Sequence, residues 1–454
     1  KTSGRFNTYI GGYKVADADL TGEKNVWIGS YANQYGTDTD STTLVGYEAG
    51  RYATGSYNTF IGEQAGKGGT TSAPYSSGEY NVAVGYEALE SFTTADKCVA
   101  IGYQAGKSHQ TAAWGVYIGY EAGNDVTTGA QNVLIGGDAG AKITTADRNI
   151  AIGGAALQTA TTGGSNTVVG DNAGWSATTA SGSVFMGRLA GGNIDSANAN
   201  VAIGQQALEN VDAGSDGNVA VGYKAGNAHT NAGNEGSVYI GHKAGQGIVN
   251  SQVLMIGWKA GSGYSGIGKG EGTTLIGHMA GYQSNDDAIN NTAVGYATLY
   301  ANTAGERNTV MGRSAGFEIT TGDNNTLIGY NTQGPLTGNK NTAIGAGAMQ
   351  DVDAGSTSGG SSNNTFVGFE AGGGTWADVA CNNNTAVGNN AMDAALNGAL
   401  YNTALGNLAL GALTEGDNNV AIGYQAGDAL TTGGDNTLIG TEAGTSTTAA
   451  SRLV

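Results

Sequence analysis

The side chains able to do acid–base, nucleophilic or metal chemistry are few in this 454-residue chain. Of the four histidines, His242 and His278 directly follow a recurring glycine, and His109 and His229 stand apart from them. None keeps a metal-ligand spacing to a cysteine or an acidic cluster, so all four read as surface side chains. Glu48, Glu87, Glu121, Glu370 and Glu442 share one place, two residues after that glycine, where Gln, Asp, Asn and Lys also occur. Glycoside hydrolysis needs two carboxylates fixed across a groove, whereas this column reads as an exposed face. Asp286-Asp287 and Asp351-Val352-Asp353 are loop acids without the alternating Asp-x-Asp-x-Asp-Gly pattern of a calcium loop. Gly261-Ser262-Gly263-Tyr264-Ser265-Gly266 matches a dinucleotide fingerprint only formally: no strand–turn–helix unit surrounds it. The expectation is a non-enzyme with no catalytic residue, no cofactor and no metal.

What organises the chain is a repeat. Twenty-five times, from Gly11 to Gly440, it writes an apolar pair, a glycine, two variable residues and then, in 22 copies, alanine. Asn58-Thr59-Phe60-Ile61-Gly62 and Asn419-Val420-Ala421-Ile422-Gly423 are clear copies. The step is 17 residues throughout Gly85 to Gly204 and averages about 17.9 overall. A fixed short period marks a solenoid in which each repeat is one coil. The fold class is therefore all-β, a parallel β-solenoid of about 25 coils with 17–18 residues each. Residues 1–454 read as one elongated repeat domain, with repeats over about 7–444 and longer loops at about 66–80 and 350–363. At about 4.8 Å per coil the rod would be on the order of 120 Å long. No cap is evident at either end, and the chain reads as a segment of a longer fibre.

Before each glycine stand three residues of a short β-run. The first is Thr or an aliphatic, the second is always apolar, and the third is Ile, Val, Leu or Met. Side chains alternate across a strand, and apolar residues on both faces mark a strand buried on both sides. Taking the first and third as the coil interior leaves the second as an outward stripe. Tyr9, Trp27, Leu44, Phe60, Tyr117, Leu134, Phe185, Tyr239, Leu327, Phe366 and Leu438 would then form an interface with further copies of the same chain. Four before the glycine, Asn recurs in 18 coils. Asn58, Asn81, Asn132, Asn149, Asn166, Asn308, Asn325, Asn341, Asn419 and Asn436 are expected to stack as a ladder that satisfies turn backbone groups. Trp114, Trp175 and Trp376 fall in loops and are candidate ligand contacts. Tyr47, Tyr86, Tyr103, Tyr120, Tyr223, Tyr296 and Tyr424 recur just after the glycine and are expected to pack against the neighbouring coil.

Net charge is −18, with no basic stripe that would suit nucleic acid. Cys98 and Cys381 lie about sixteen coils apart, too far for a disulfide within the chain. No apolar run is long enough to cross a membrane.

The Asn-Val-Ala-Ile-Gly and Asn-Thr-Ala-Val-Gly strings resemble the head repeats of trimeric autotransporter adhesins. The fuller Asn-Thr-x-Ile-Gly-Tyr-x-Ala-Gly form is similar to repeats of phage tail fibres, over residues 7–444. The resemblance implies a left-handed parallel β-roll in which three chains pack side by side. It also implies a rigid shaft of a virion tail fibre or bacterial surface appendage, extracellular and supporting host attachment. Partners would be the chain itself as a coaxial homotrimer, other fibre or baseplate segments, and a host-surface glycan or protein receptor. The alternative is an adhesive module gripping glycans through loops and aromatic faces. Ice binding is set aside because the threonine column is placed inside the coil.

Overall fold

A computed structural model describes residues 4–18, 21–211, 214–227, 235–248, 252–263, 271–283, 288–333, 337–350, 360–377 and 379–454. They fall into two compact units, Lys1–Lys224 with Thr230–Glu235, and Ala225–His229 with Gly236–Val454. Both units are parallel β-solenoid. Among the described residues the first holds thirteen three-residue strands, from Thr8–Ile10 to Val219–Val221. Each pairs in parallel with the next, first residue on first and last on last. The second unit repeats the arrangement with twelve, from Val238–Ile240 to Thr437–Ile439.

The glycine after each strand is fixed by two constraints. Gly170 sits at φ +142°, a region only glycine enters cheaply, and a Cβ there would lie 2.6 Å from the Gly187 carbonyl carbon. The same close stacking of glycine on glycine recurs coil after coil, and it leaves the Gly187 amide free to donate to the Val169 carbonyl at 2.8 Å. Three residues on, the alanine is buried without exposed surface at, for example, Ala65, Ala105 and Ala156.

The interior face is the reverse of the one expected. Trp27, Leu44, Phe60, Tyr117, Leu134, Phe185, Tyr239, Leu327 and Phe366 are buried inside their own coils, Leu438 is nearly so, and Tyr9 is half-buried. They are core, not an interface stripe. The outward side chains are the first and last of each strand: Ile61, Ile101, Ile203 and Ile344 are each close to 40% exposed. Packing volume explains the choice. Ala is the middle residue in ten strands, and Leu or Met stands four after the glycine in seven coils, always one of those ten. Ala83 with Leu89, Ala202 with Leu208 and Ala386 with Met392 fill the same space that Phe185 fills opposite Gly191. Such compensation is what a closed core requires.

The long Gly62–Gly85 step is more structured than a bulging loop. Ser76 bridges Ala53, and Tyr75 stacks on Tyr35 and Tyr52 with ring centroids at 5.5 and 6.1 Å. Of the second long step, residues 351–359 lie outside the described set, as do Asp286-Asp287, Tyr264 to Gly266 and His229.

Candidate functional site

The asparagine column runs along one corner of each unit, and every member of it from Asn25 onward is buried. The Asn81 amide donates to Asn58 Oδ1 at 2.8 Å, and Asn149 to Asn132, Asn325 to Asn308 and Asn436 to Asn419 do the same. Most of the Nδ2 groups then donate to a turn carbonyl of the following coil, as from Asn132 to Ala146 at 2.7 Å and from Asn419 to Gly433 at 2.9 Å. In the later coils Nδ2 also reaches the preceding Oδ1, at 2.8 Å for Asn436 to Asn419.

A second ladder, two residues earlier in the coil, runs in the opposite sense. Here the amide of one coil donates forward to a side chain of the next: Glu79 to Asp96, Ala130 to Asp147, Glu306 to Asp323 and Leu400 to Asp417, at 2.7–2.8 Å. Ser and Asn serve equally, as at Ser181 and Asn382. The sequence signal was a column of short acceptor side chains two before the asparagines. The loop acids in it are turn staples.

Where the first ladder lapses, at Cys98 and Gly115, a buried cluster takes its place. His109 Nε2 donates to the Ala112 carbonyl at 2.7 Å, leaving Nδ1 to accept from the Tyr117 hydroxyl at 3.1 Å. Cys98 Sγ lies 3.4 Å from the same Nε2. A cysteine beside a histidine suggests nucleophilic chemistry, but a reactive thiol needs an electropositive, accessible setting. Burial instead pushes the Cys98 thiol up to about 11 and the His109 imidazole down. All three groups are fully buried, so the cluster is a core plug and His109 is no surface residue.

Trp376 is likewise core: it has no exposed surface, packs edge-on to Phe366 at 5.7 Å and donates from Nε1 to the Gly372 carbonyl. Trp114 is 57% exposed beneath Lys97, whose Nζ lies 4.7 Å from the ring, and Trp175 is at the edge of exposure. Two runs of the rings that follow the glycines stack on one another while remaining partly in solvent. Tyr86, Tyr103 and Tyr120 follow at 5.3 and 5.1 Å, and His242, Trp258, His278 and Tyr296 at 6.1, 4.6 and 4.9 Å.

The glutamate column is not uniformly a solvent face. Glu48 and Glu87 are buried beneath Arg51, Lys67 and Lys107, with Arg51–Glu48 at 2.5 Å and Lys107–Glu87 at 2.6 Å. Glu90 joins Lys67 to Lys107 at 3.7 Å each, closing a chain of six charges. Among the described residues no three His, Cys, Asp or Glu side chains come together to hold a metal ion, and no helix is long and apolar enough to cross a membrane.

The outward strand face carries the first and last residues of every strand. In the first unit its first-residue column is mainly valine, as at Val82, Val99, Val116 and Val133. In the second unit it is threonine in eight successive strands, Thr274 to Thr403. Together these features define a β-solenoid repeat protein with an apolar outer strand face in each unit. No protein-family model matches the chain, and no curated protein matches it.

Proposed function

We propose that the chain is a structural fibre protein that self-associates through its outward strand face. The observation that carries this reading is the half-exposed column of Ile, Val, Leu and Met at the last strand position, repeated in each unit. A soluble monomer rarely leaves so long an apolar stripe in water, and a copy of the same chain offers a stripe of the same spacing. The interface moves from the middle strand residues to Val82, Val84, Val99, Ile101 and their equivalents. Backbone ladders and paired side-chain ladders make each unit stiff, which suits a load-bearing segment of a tail fibre or surface appendage. A left-handed, coaxial, three-chain arrangement is the assembly that the repeat's resemblance implies, with attachment to a host surface as its purpose and catalysis no part of it.

Light scattering on the folded chain tests the proposal: three copies of 45.3 kDa, about 136 kDa, is the expected mass. A stable monomer overturns it. Because the threonines from Thr274 to Thr403 face outward, the ground for setting ice binding aside no longer holds. A monomer showing thermal hysteresis would make that face an ice-ordering surface.

A further inference from the structure

We infer that the second unit carries a binding strip for anionic polysaccharide, on the column after the strand glycines from His242 to Tyr330. The strip goes beyond the fibre reading and does not rest on the number of chains. Lys259 Nζ lies 4.5 Å from the Trp258 ring and 5.3 Å from the Tyr282 ring, so it joins two ring columns. Arg313 sits between Tyr296 and Tyr330, 5.7 and 5.8 Å from their centroids. Beside the first column runs a second, in which Tyr282, Tyr300 and Phe317 stack at 5.4 and 4.8 Å.

Charge distinguishes this strip from the rest of an acidic chain. In the first unit Arg51, Lys67, Lys107 and Lys142, five or six residues after their glycines, each meet a carboxylate, whereas Lys224, two after Gly222, lies over the Tyr223 ring at 5.6 Å and meets none among the described residues. Lys243, Lys259 and Arg313 meet none among the described residues. The first two places after the glycine carry no acidic residue in any of these six coils. At about 0.15 M salt the Debye length is roughly 8 Å, which screens acids elsewhere on the surface but not a ligand seated on the strip.

Ring geometry selects the class of ligand. A neutral sugar binds by laying its apolar face on an open aromatic face, and here most faces are already covered by the next ring. What remains in solvent is ring edges, phenol hydroxyls, the ammonium groups and the guanidinium, which are donors suited to carboxylate or sulfate oxygens. Coils advance by about 4.8 Å, nearly the advance of one pyranose in an extended chain, so successive acidic sugars meet successive coils. Nucleic acid would call for a denser row of cations than three over six coils.

The test is binding of the full chain to an alginate oligosaccharide, dextran sulfate, neutral dextran and double-stranded DNA at about 0.15 M salt. Alginate and dextran sulfate are expected to bind and neutral dextran not. The Lys259→Ala/Arg313→Ala pair is expected to weaken binding at least tenfold, and Lys259→Gln/Arg313→Gln equally. Lys142→Ala, which removes a paired cation of the first unit, is expected to change nothing. Binding to dextran as tight as to alginate, binding to DNA alone, binding to no probe, or native affinity in both double variants would each overturn the inference. A monomer that still bound alginate would remove the fibre assembly and leave the strip in place.

Discussion

At the scale of single residues, the ladder asparagines join coil to coil at the turns as backbone hydrogen bonds join neighbouring strands in the sheet. Asn149 Oδ1 accepts the Asn166 amide at 3.0 Å, and its Nδ2 donates to the Gly163 carbonyl at 3.0 Å. Replacing it with alanine strands two buried backbone groups, each costing about 1–3 kcal/mol. Because solenoid stability is a sum of local terms, the loss belongs to the coils around residues 132–166 and not to the whole chain. Hydrogen exchange is expected to speed up there in Asn149→Ala, with strands distant from the site unchanged. Asn149→Ser should recover much of the protection, since Ser183 already accepts the Asn200 amide at 3.2 Å. This corner was legible because asparagine repeats there in 18 coils. The opposed ladder was not, because Asp, Ser and Asn share its role and the column has no single residue name.

At the scale of elements, coils are also joined by charge. Burial alone would push the Glu87 carboxyl up, but hydrogen bonds with Lys107, Tyr86 and Gln104 outweigh it and hold the group below the usual carboxylate range. A depressed carboxyl stabilises the fold above its unfolded value, near 4.3, and the contribution is lost as pH falls through the folded value. Lys107→Ala removes the largest favourable partner, so the Glu87 carboxyl is expected to titrate higher. It should also destabilise these coils by about 1 kcal/mol near neutral pH. Melting curves from pH 7 to 3 should separate native and variant at the neutral end and converge at the acid end. A constant gap across that range would show that the network contributes nothing through charge. The sequence placed Glu48 and Glu87 in one column, but whether it faced solvent depended on the cations supplied by Arg51, Lys67 and Lys107 from neighbouring turns. Those cations do not stand in the column itself, and only the stacking of coils brings Lys67 and Lys107 over it.

At the scale of the molecule, everything turns on which strand face is inside. The period and the three-residue strand were plain in the sequence, as was the apolar nature of both faces. Alternation alone leaves two solutions, and large aromatics such as Trp27 and Phe60 look like contact residues when read singly. The deciding signal was covariation along the chain: Leu89, Leu157, Leu208, Leu299, Met349, Met392 and Leu410 appear only where the middle strand residue is alanine. Two positions one residue apart therefore separate folding from assembly. Ala202 has no exposed surface and Ile203 is 38% exposed. Ala202→Asp puts an unpaired carboxylate into the core and is expected to unfold the coils around it, read as lost β-sheet circular dichroism and soluble yield. Ile203→Asp places the same charge on the outer face. A copy of the chain bears the same substitution at the same level, so parallel chains would bring like charges together in an apolar seam. The expected outcome is a folded protein whose mass by light scattering falls from about 136 kDa towards 45.3 kDa. If Ile203→Asp keeps the native mass while Ala202→Asp unfolds, the outer stripe is no interface, and its regular Thr and Val columns are surfaces for something other than this chain.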